Sequence, residues 1–264
     1  MPYPLNTPLG RFGIETSEEG DERCVASIPA GGMANPITGA PTIAPLAMLV
    51  DHVGGLINHR RRAPGEWTVS SELSLEIGRD ALAAIASARD TPVVGVSRPL
   101  GHKGLGVCEL SVGTEVIATA TVRSFYITAP AGLTARPDGP TGSLPGTSLS
   151  DLMSVHVGEA GGTATVLMQD VDPVLNNGIG VVHGGVSSMG LELVGSAEVN
   201  RAEPGAPLRT ASLRVNFLRP FHGGGEAHYA ATPLHTGRSS GVAETRAVGA
   251  DGRVAIVARL TAYR

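Results

Sequence analysis

The sequence predicts an α+β protein in which one folding unit is written twice, each copy a long central helix wrapped by an antiparallel sheet. Three observations carry this. Shifted by 141 residues, the chain places Gly20 over Gly161, Asn35 over Asn176, Met48 over Met189, Asp51 over Glu192, and Val53-Gly54 over Val194-Gly195. Two segments, APLAMLVDHVGGLINHR (44–60) and GGVSSMGLELVGSAEVN (184–200), are apolar on most sides, as a helix enclosed by its own domain must be. Runs with strand-like alternation flank both.

In the first copy those runs are VASI (25–28), VSSELSLEI (69–77), GVCELSV (106–112) and EVIATATVRSFYI (115–127). Their counterparts are TATVLM (163–168), RTASLRVNFL (209–218), GVAETRAV (241–248) and VAIVARLTAY (254–263). Small slips of the repeat fall in the loops: a shift of 140 pairs Leu73, Leu75 and Ile77 with Leu213, Val215 and Phe217, and a shift of 135 pairs Gly106-Val107 and Glu109 with Gly241-Val242 and Glu244. Matches kept in order through such slips mark a duplication. Between the copies, APAGLTARPDGPTGSLPGTSLS (129–150) is dense in Pro, Gly, Ser and Thr and follows neither regular period. The expected organisation is a repeat over 1–128, a linker over 129–150 and a second repeat over 151–264.

Composition narrows the function classes. A net charge of −4 gives no overall reason to expect a nucleic-acid partner. Cys24 and Cys108 lie far apart with no ligand spacing, so neither a disulfide framework nor a metal site is expected. MPYPLNTPLG lacks the basic start and apolar core of a secretion signal, and no window offers 18 uninterrupted apolar residues; a soluble, cytoplasmic protein with no membrane partner is expected.

The chemistry is concentrated at the helices. Asp51 and Glu192 occupy the same point of the repeat, midway along an apolar helix. A carboxylate removed from water costs several kcal/mol unless it is compensated. Each acid lies on a narrow exposed stripe, makes a buried hydrogen bond with no chemistry, or has work to do, and its recurrence in both copies favours the last. His183 precedes Gly184-Gly185 at the start of the second helix, where first-turn N–H groups lack helical partners and carry the positive end of the macrodipole. Glycine lets a substrate carbonyl approach that backbone closely. An N–H aimed at an oxygen that gains charge is an oxyanion hole, worth roughly 3–4 kcal/mol per donor, so acyl transfer is the reaction class.

The segment NGIGVVHGG (177–185), with an acid nine positions after its histidine, resembles the active-site segment of hotdog-fold acyl-CoA thioesterases of the phenylacetyl-CoA thioesterase (PaaI) type. RTASLRVNFLRP (209–220) resembles that family's strand after the helix, with Thr210 where Ser or Thr stands. The resemblance implies a tandem (double) hotdog whose sites draw Asn and His-Gly from one unit and the acid from the other. One site would then combine Asn177, His183 and Gly184 with Asp51, and with Ser70 at the position of Thr210. The strand's parity, however, sets Ser70 opposite Val69, Leu73, Leu75 and Ile77, away from its own helix.

The second site would combine Glu192 and Thr210 with Pro36 and Thr42, lacking amide and glycines, and is expected to be inert or merely to bind. Asp51 would serve as general base or as nucleophile, two roles left open. The Gly184 N–H would polarise the carbonyl, and Gly185 would lie at the substrate. No cofactor is expected beyond the coenzyme A of the acyl-CoA substrate. Its phosphates need cations, for which Lys103 in GHKG (101–104), Arg238 in TGRSSG (236–241) and Arg60, Arg61 and Arg62 are candidates. A non-catalytic acyl-CoA sensor is the alternative from another class, a hotdog hydratase or dehydratase the alternative within the fold, and pairing into homo-oligomers stays open.

Overall fold

The computed structural model describes residues 1–264 except 89, 134–136, 143, 161–163, 203, 204 and 206. Thr163, read from the sequence as a strand start, and part of the 129–150 linker therefore lie outside the described residues. The first half carries α1 (Pro8–Arg11), β1 (Glu15–Glu19), β2 (Cys24–Ile28), α2 (Pro45–Arg60), β3 (Glu66–Ile77), α3 (Ala81–Ser87), β4 (Val93–Pro99), β5 (Leu105–Val112) and β6 (Glu115–Thr128). The second half carries α4 (Leu149–Met153), β7 (Val155–Ala160), β8 (Ala164–Gln169), a 3-10 turn (Pro173–Leu175), α5 (Gly184–Val199), β9 (Arg209–Phe217), β10 (His228–Thr236), β11 (Ser240–Val248) and β12 (Val254–Tyr263).

All twelve strands form one antiparallel sheet in the order β1-β2-β4-β5-β6-β3-β9-β12-β11-β10-β8-β7, which reads the same from either edge once each strand is replaced by its repeat equivalent. The junction is two-fold: Glu72 pairs with Asn216, Ser74 with Arg214 and Glu76 with Ser212. Even small devices recur. Thr7 caps α1 by accepting from the Gly10 N–H, and Ser148 caps α4 by accepting from the Asp151 N–H, each satisfying an orphan donor of a first turn. Left-handed residues follow both, Gly13 at φ 65° and Ser154 at φ 49°. The stretch 129–150 is thus not structureless to its end: α4 begins at Leu149, and Thr141 bridges to Pro4.

The helices lie against the sheet and against each other. In α2 the residues Pro45–Gly54, Ile57 and Asn58 are buried, while Gly55, Leu56 and His59 stay partly open. The start of α5 meets the middle of α2, and the start of α2 meets the middle of α5, so the two run antiparallel. No helix among the described residues is long and apolar enough to cross a membrane.

Candidate active site

The antiparallel crossing brings the mid-helix acid of the first half onto the first turn of α5. His183 is the N-cap residue; its Nδ1 accepts from the Gly185 N–H at 3.1 Å and lies 3.3 Å from Asp51 Oδ2. Ser70 Oγ donates to Asp51 Oδ1 at 3.0 Å. A Cβ at Gly184 would stand 2.9 Å from Asp51 Oδ2, and one at Gly185 would stand 2.8 Å from the Met48 Cα. The two glycines have different reasons: Gly184 admits the carboxylate, and Gly185 admits the α2 backbone. In this structure the close neighbours of the pair are Asp51 and Met48. As the first residue of α5, Gly184 offers an N–H with no intrahelical acceptor, and no hydrogen bond among the described residues takes it up. Burial holds the His183 imidazole below its usual pKa against the opposing pull of the Asp51 charge, so the ring is neutral. With Nδ1 occupied as an acceptor, the ring proton resides on Nε2.

Ser70 reaches Asp51 because β3 carries a bulge between Ser70 and Glu72, which inverts the alternation that the apolar residues downstream obey. The expectation that Ser70 faces away from its own helix is corrected for this reason. The same bulge recurs beside Thr210, where the register against β12 shifts between Thr261 and Ala262.

Asn177 organises the loop before α5. Its Oδ1 accepts from the Ile179 N–H at 3.0 Å and the Val181 N–H at 3.4 Å, while the His183 N–H donates to the Leu175 carbonyl. Among the described residues no hydrogen bond joins Asn177 to Asp51. The turn before that loop is anchored from the other half: Arg11 Nη1 lies 2.5 Å from Asp172 Oδ2, and Ser154 Oγ donates to the same oxygen at 2.6 Å. Asp172 caps the 3-10 turn through the Val174 N–H. Although burial opposes it, hydrogen bonds from Ser154 and Val174 and the Arg11 charge hold this carboxyl below its usual range. The sequence singles out neither Asp172 nor Arg11, and nothing in it marks them as partners.

The second cluster is the counterpart, sealed. Glu192, 1% exposed, accepts from Thr210 Oγ1 at 2.7 Å and Thr42 Oγ1 at 3.0 Å, and Thr42 also accepts from the Ala44 N–H, as His183 does from Gly185. Burial pushes the Glu192 carboxyl above its usual pKa despite these donors. Buried Ile43 stands where Gly184 does. The loop contradicts the alignment of Pro36 with Asn177: Asn35 accepts from the Ile37 N–H at 2.9 Å, as Asn177 does from Ile179, and its Nδ2 donates to the Leu193 carbonyl and to Ser196 Oγ. This cluster has therefore kept its amide and lost its imidazole and both glycines, with Thr42, Ile43 and Ala44 standing where His183, Gly184 and Gly185 do. One extra residue between Asn35 and Thr42 hid the equivalence.

The cationic candidates divide. Lys103 is held by Glu66 at 3.0 Å and lies over the Tyr126 ring at 4.7 Å. Arg238 lines a cleft of about 200 Å³ at the far end of α5 with Val199, Asn200 and Leu208. Arg61 donates to the Gly101 carbonyl. Among the described residues no group of three or more His, Cys, Asp and Glu is placed to hold a metal.

Comparison with known proteins follows these divisions. No curated protein matches the chain. In solved structures, the acyl-CoA thioesterase II TesB2 from Mycobacterium marinum is 12% identical with a TM-score of 0.59, covering 97% of this chain and 96% of that one. The tesB protein of Mycobacterium avium subs paratuberculosis is 12% identical at 0.56 over 94% and 95%. A protein of unknown function with a hot dog fold from Alicyclobacillus acidocaldarius is 16% identical at 0.56 over 94% and 95%. The fold of the chain is thus of the hot dog class over nearly its whole length. In sequence, residues 179–256, which include His183, Gly184, Glu192 and Thr210, match the model of the Thioesterase superfamily.

Proposed function

We propose that the chain is a tandem hotdog that hydrolyses acyl-CoA thioesters to free acid and coenzyme A at one site, built from Asp51 and Ser70 of the first half and His183 and Gly184 of the second. The observation that carries this reading is the Asp51 carboxylate set against the first turn of α5, with an untaken N–H at Gly184. The likeness to thioesterases supports the substrate class. Resemblance to the PaaI type rests on the NGIGVVHGG segment, with its acid nine positions after the histidine, and on the RTASLRVNFLRP strand.

In this mechanism the thioester oxygen accepts from the Gly184 N–H, where the α5 dipole favours gathering negative charge. Asp51 takes a proton from water as the water oxygen bonds to the carbonyl carbon. Collapse of the tetrahedral intermediate breaks the C–S bond, and the departing thiolate leaves with that proton. Attack by the Asp51 carboxylate itself on the carbonyl carbon, giving a mixed anhydride that water then hydrolyses, is the alternative route from the same geometry. Asn177 shapes the loop that presents His183.

Release of free thiol from acyl-CoA by the purified protein tests the reading. Asp51→Asn is expected to lower kcat by a factor of about 10² or more with binding retained, and Glu192→Gln to do far less. Equal losses in the two variants would overturn the one-site assignment. Tight acyl-CoA binding with no thiol release at any chain length would make the protein a sensor.

A further inference from the structure

We infer that the cleft at the carboxyl end of α2, formed by Arg60, Arg62, Pro64, Glu66, Trp67 and Leu133, seats the phosphoadenosine end of the coenzyme A whose thioester reacts at Asp51. This rests on the acyl-CoA reading and chooses among the cations that could serve it. The cleft holds about 480 Å³, more than twice the volume of the one at Arg238.

A route joins it to the carboxylate. On α2, Asp51, Gly55 and His59 follow at four-residue steps, and on β3, Ser70 and Thr68 follow at two, so both stripes run in one direction on facing surfaces. A Cβ at Gly55 would lie 3.9 Å from Ser70 Oγ, and His59 Nδ1 lies 2.8 Å from Thr68 Oγ1. Gly55, Leu56, His59, Thr68, Ser70, His183 and Gly184 are all partly exposed, whereas their neighbours Val53, Gly54, Ile57 and Asn58 are buried. These residues mark a partly exposed line along the seam of α2 and β3, leading from the carboxylate toward the cleft. Nine residues of helix separate Asp51 from Arg60, about 13 Å of axial rise. A pantetheine arm, roughly as long as four extended residues, spans about that distance.

The end of the route suits a nucleotide. Arg60 is only loosely engaged, 3.5 Å from Glu19, and Arg62 donates to the His59 carbonyl, which leaves further guanidinium N–H groups for phosphate oxygens. Glu66, the acid of the cleft, is occupied by Lys103 and the Ala63 N–H. Trp67 supplies an aromatic surface, its edge packed on His59 at 4.7 Å between centroids. Burial, and after it the charges of Arg62 and Arg60, push the His59 imidazole down to about 4. The equivalent line from Glu192 has no such exposure at its start, because Thr42, Ile43 and Thr210 are buried.

Trp67 is the single tryptophan of the chain, so its emission reports the cleft directly. Titration of the full-length protein with coenzyme A and with adenosine 3′,5′-bisphosphate is expected to change that emission, and titration with pantetheine or inorganic phosphate is not. Arg62→Ala should weaken coenzyme A binding about tenfold, the loss of one charge-assisted hydrogen bond, and should lower the ratio of kcat/KM for acyl-CoA to that for acyl-pantetheine. Arg238→Ala should leave the coenzyme A affinity unchanged. Thiol release from acyl-CoA with no emission change on adding the bisphosphate, or with an unaltered ratio in Arg62→Ala, overturns the cleft and leaves the thioesterase reading standing. An emission change of equal size with inorganic phosphate overturns it too. Absence of all hydrolysis alongside bisphosphate binding would instead remove the thioesterase reading and spare the cleft.

Discussion

The two adjacent glycines at the start of α5 allow the site to be tested separately from the fold. A methyl group at Gly184 would stand 2.9 Å from Asp51 Oδ2, 3.2 Å from Oδ1 and 3.3 Å from Cγ. The obstacle is the end of a short side chain, so the carboxylate retreats by about 0.3–0.5 Å while the backbone stays. Displacement of about 1 Å at a reacting group costs about 10² in rate, so Gly184→Ala is expected to lower kcat/KM by about 4- to 10-fold. Its melting temperature should barely move, because alanine favours a helix over glycine by up to about 1 kcal/mol and offsets the contact. A methyl group at Gly185 instead meets the Met48 Cα at 2.8 Å and its carbonyl oxygen at 3.2 Å. Those atoms are helix backbone, and overpacking of that kind costs about 1–3 kcal/mol. Gly185→Ala should therefore melt about 3–10 °C lower, at about 2–4 °C per kcal/mol. Initial-rate kinetics and thermal melts on the two variants suffice. Full activity in Gly184→Ala would refute the claim that the carboxylate works at that N–H.

Other outcomes follow from the same geometry. Ser70→Ala removes a donor to the Asp51 carboxylate, so kcat/KM should fall about tenfold; unchanged kinetics would place Ser70 outside the site. Glu192 has its pKa raised by burial, so it stabilises the fold fully below its ordinary pKa and loses that contribution as pH rises through the raised value. Glu192→Gln should accordingly flatten the decline in melting temperature as pH rises above the ordinary carboxylate range, and parallel wild-type and variant curves would contradict this. The lowered Asp172 carboxyl has the opposite sign, stabilising above its ordinary pKa and failing as pH falls. Arg11→Ala should lower stability near neutrality, by a difference that narrows in acid, and a pH-independent difference would count against the ion pair.

The repeat was legible because it is written in burial: Met48 over Met189 and Asp51 over Glu192 answer to the same core, and α2 and α5 match their apolar segments to within a residue at each end. The pairing of Asp51 with His183 came from resemblance, since nothing in local pattern says which of two acids faces a given loop. What alternation concealed was Ser70, because a bulge is set by the partner strand's register and leaves no periodic trace of its own. Asn35 was misassigned through a single inserted residue in a loop held by side-chain hydrogen bonds, which tolerate slips that a helix face does not. The short edge strands β1 and β7 and the weakly alternating β4 and β10 carry too little apolar signal to be read alone.

The union of β3 with β9 inside one polypeptide has a consequence for dilution and for change. In a site assembled from separate subunits, the acid and the first-turn N–H part company when concentration falls below the dissociation constant; here the encounter is intramolecular, and specific activity should stay constant down to nanomolar protein. A substitution in a symmetric pair strikes both sites at once, but here it strikes one. Positions 42 and 43 were free to become threonine and isoleucine while 183 and 184 kept their imidazole and their open backbone.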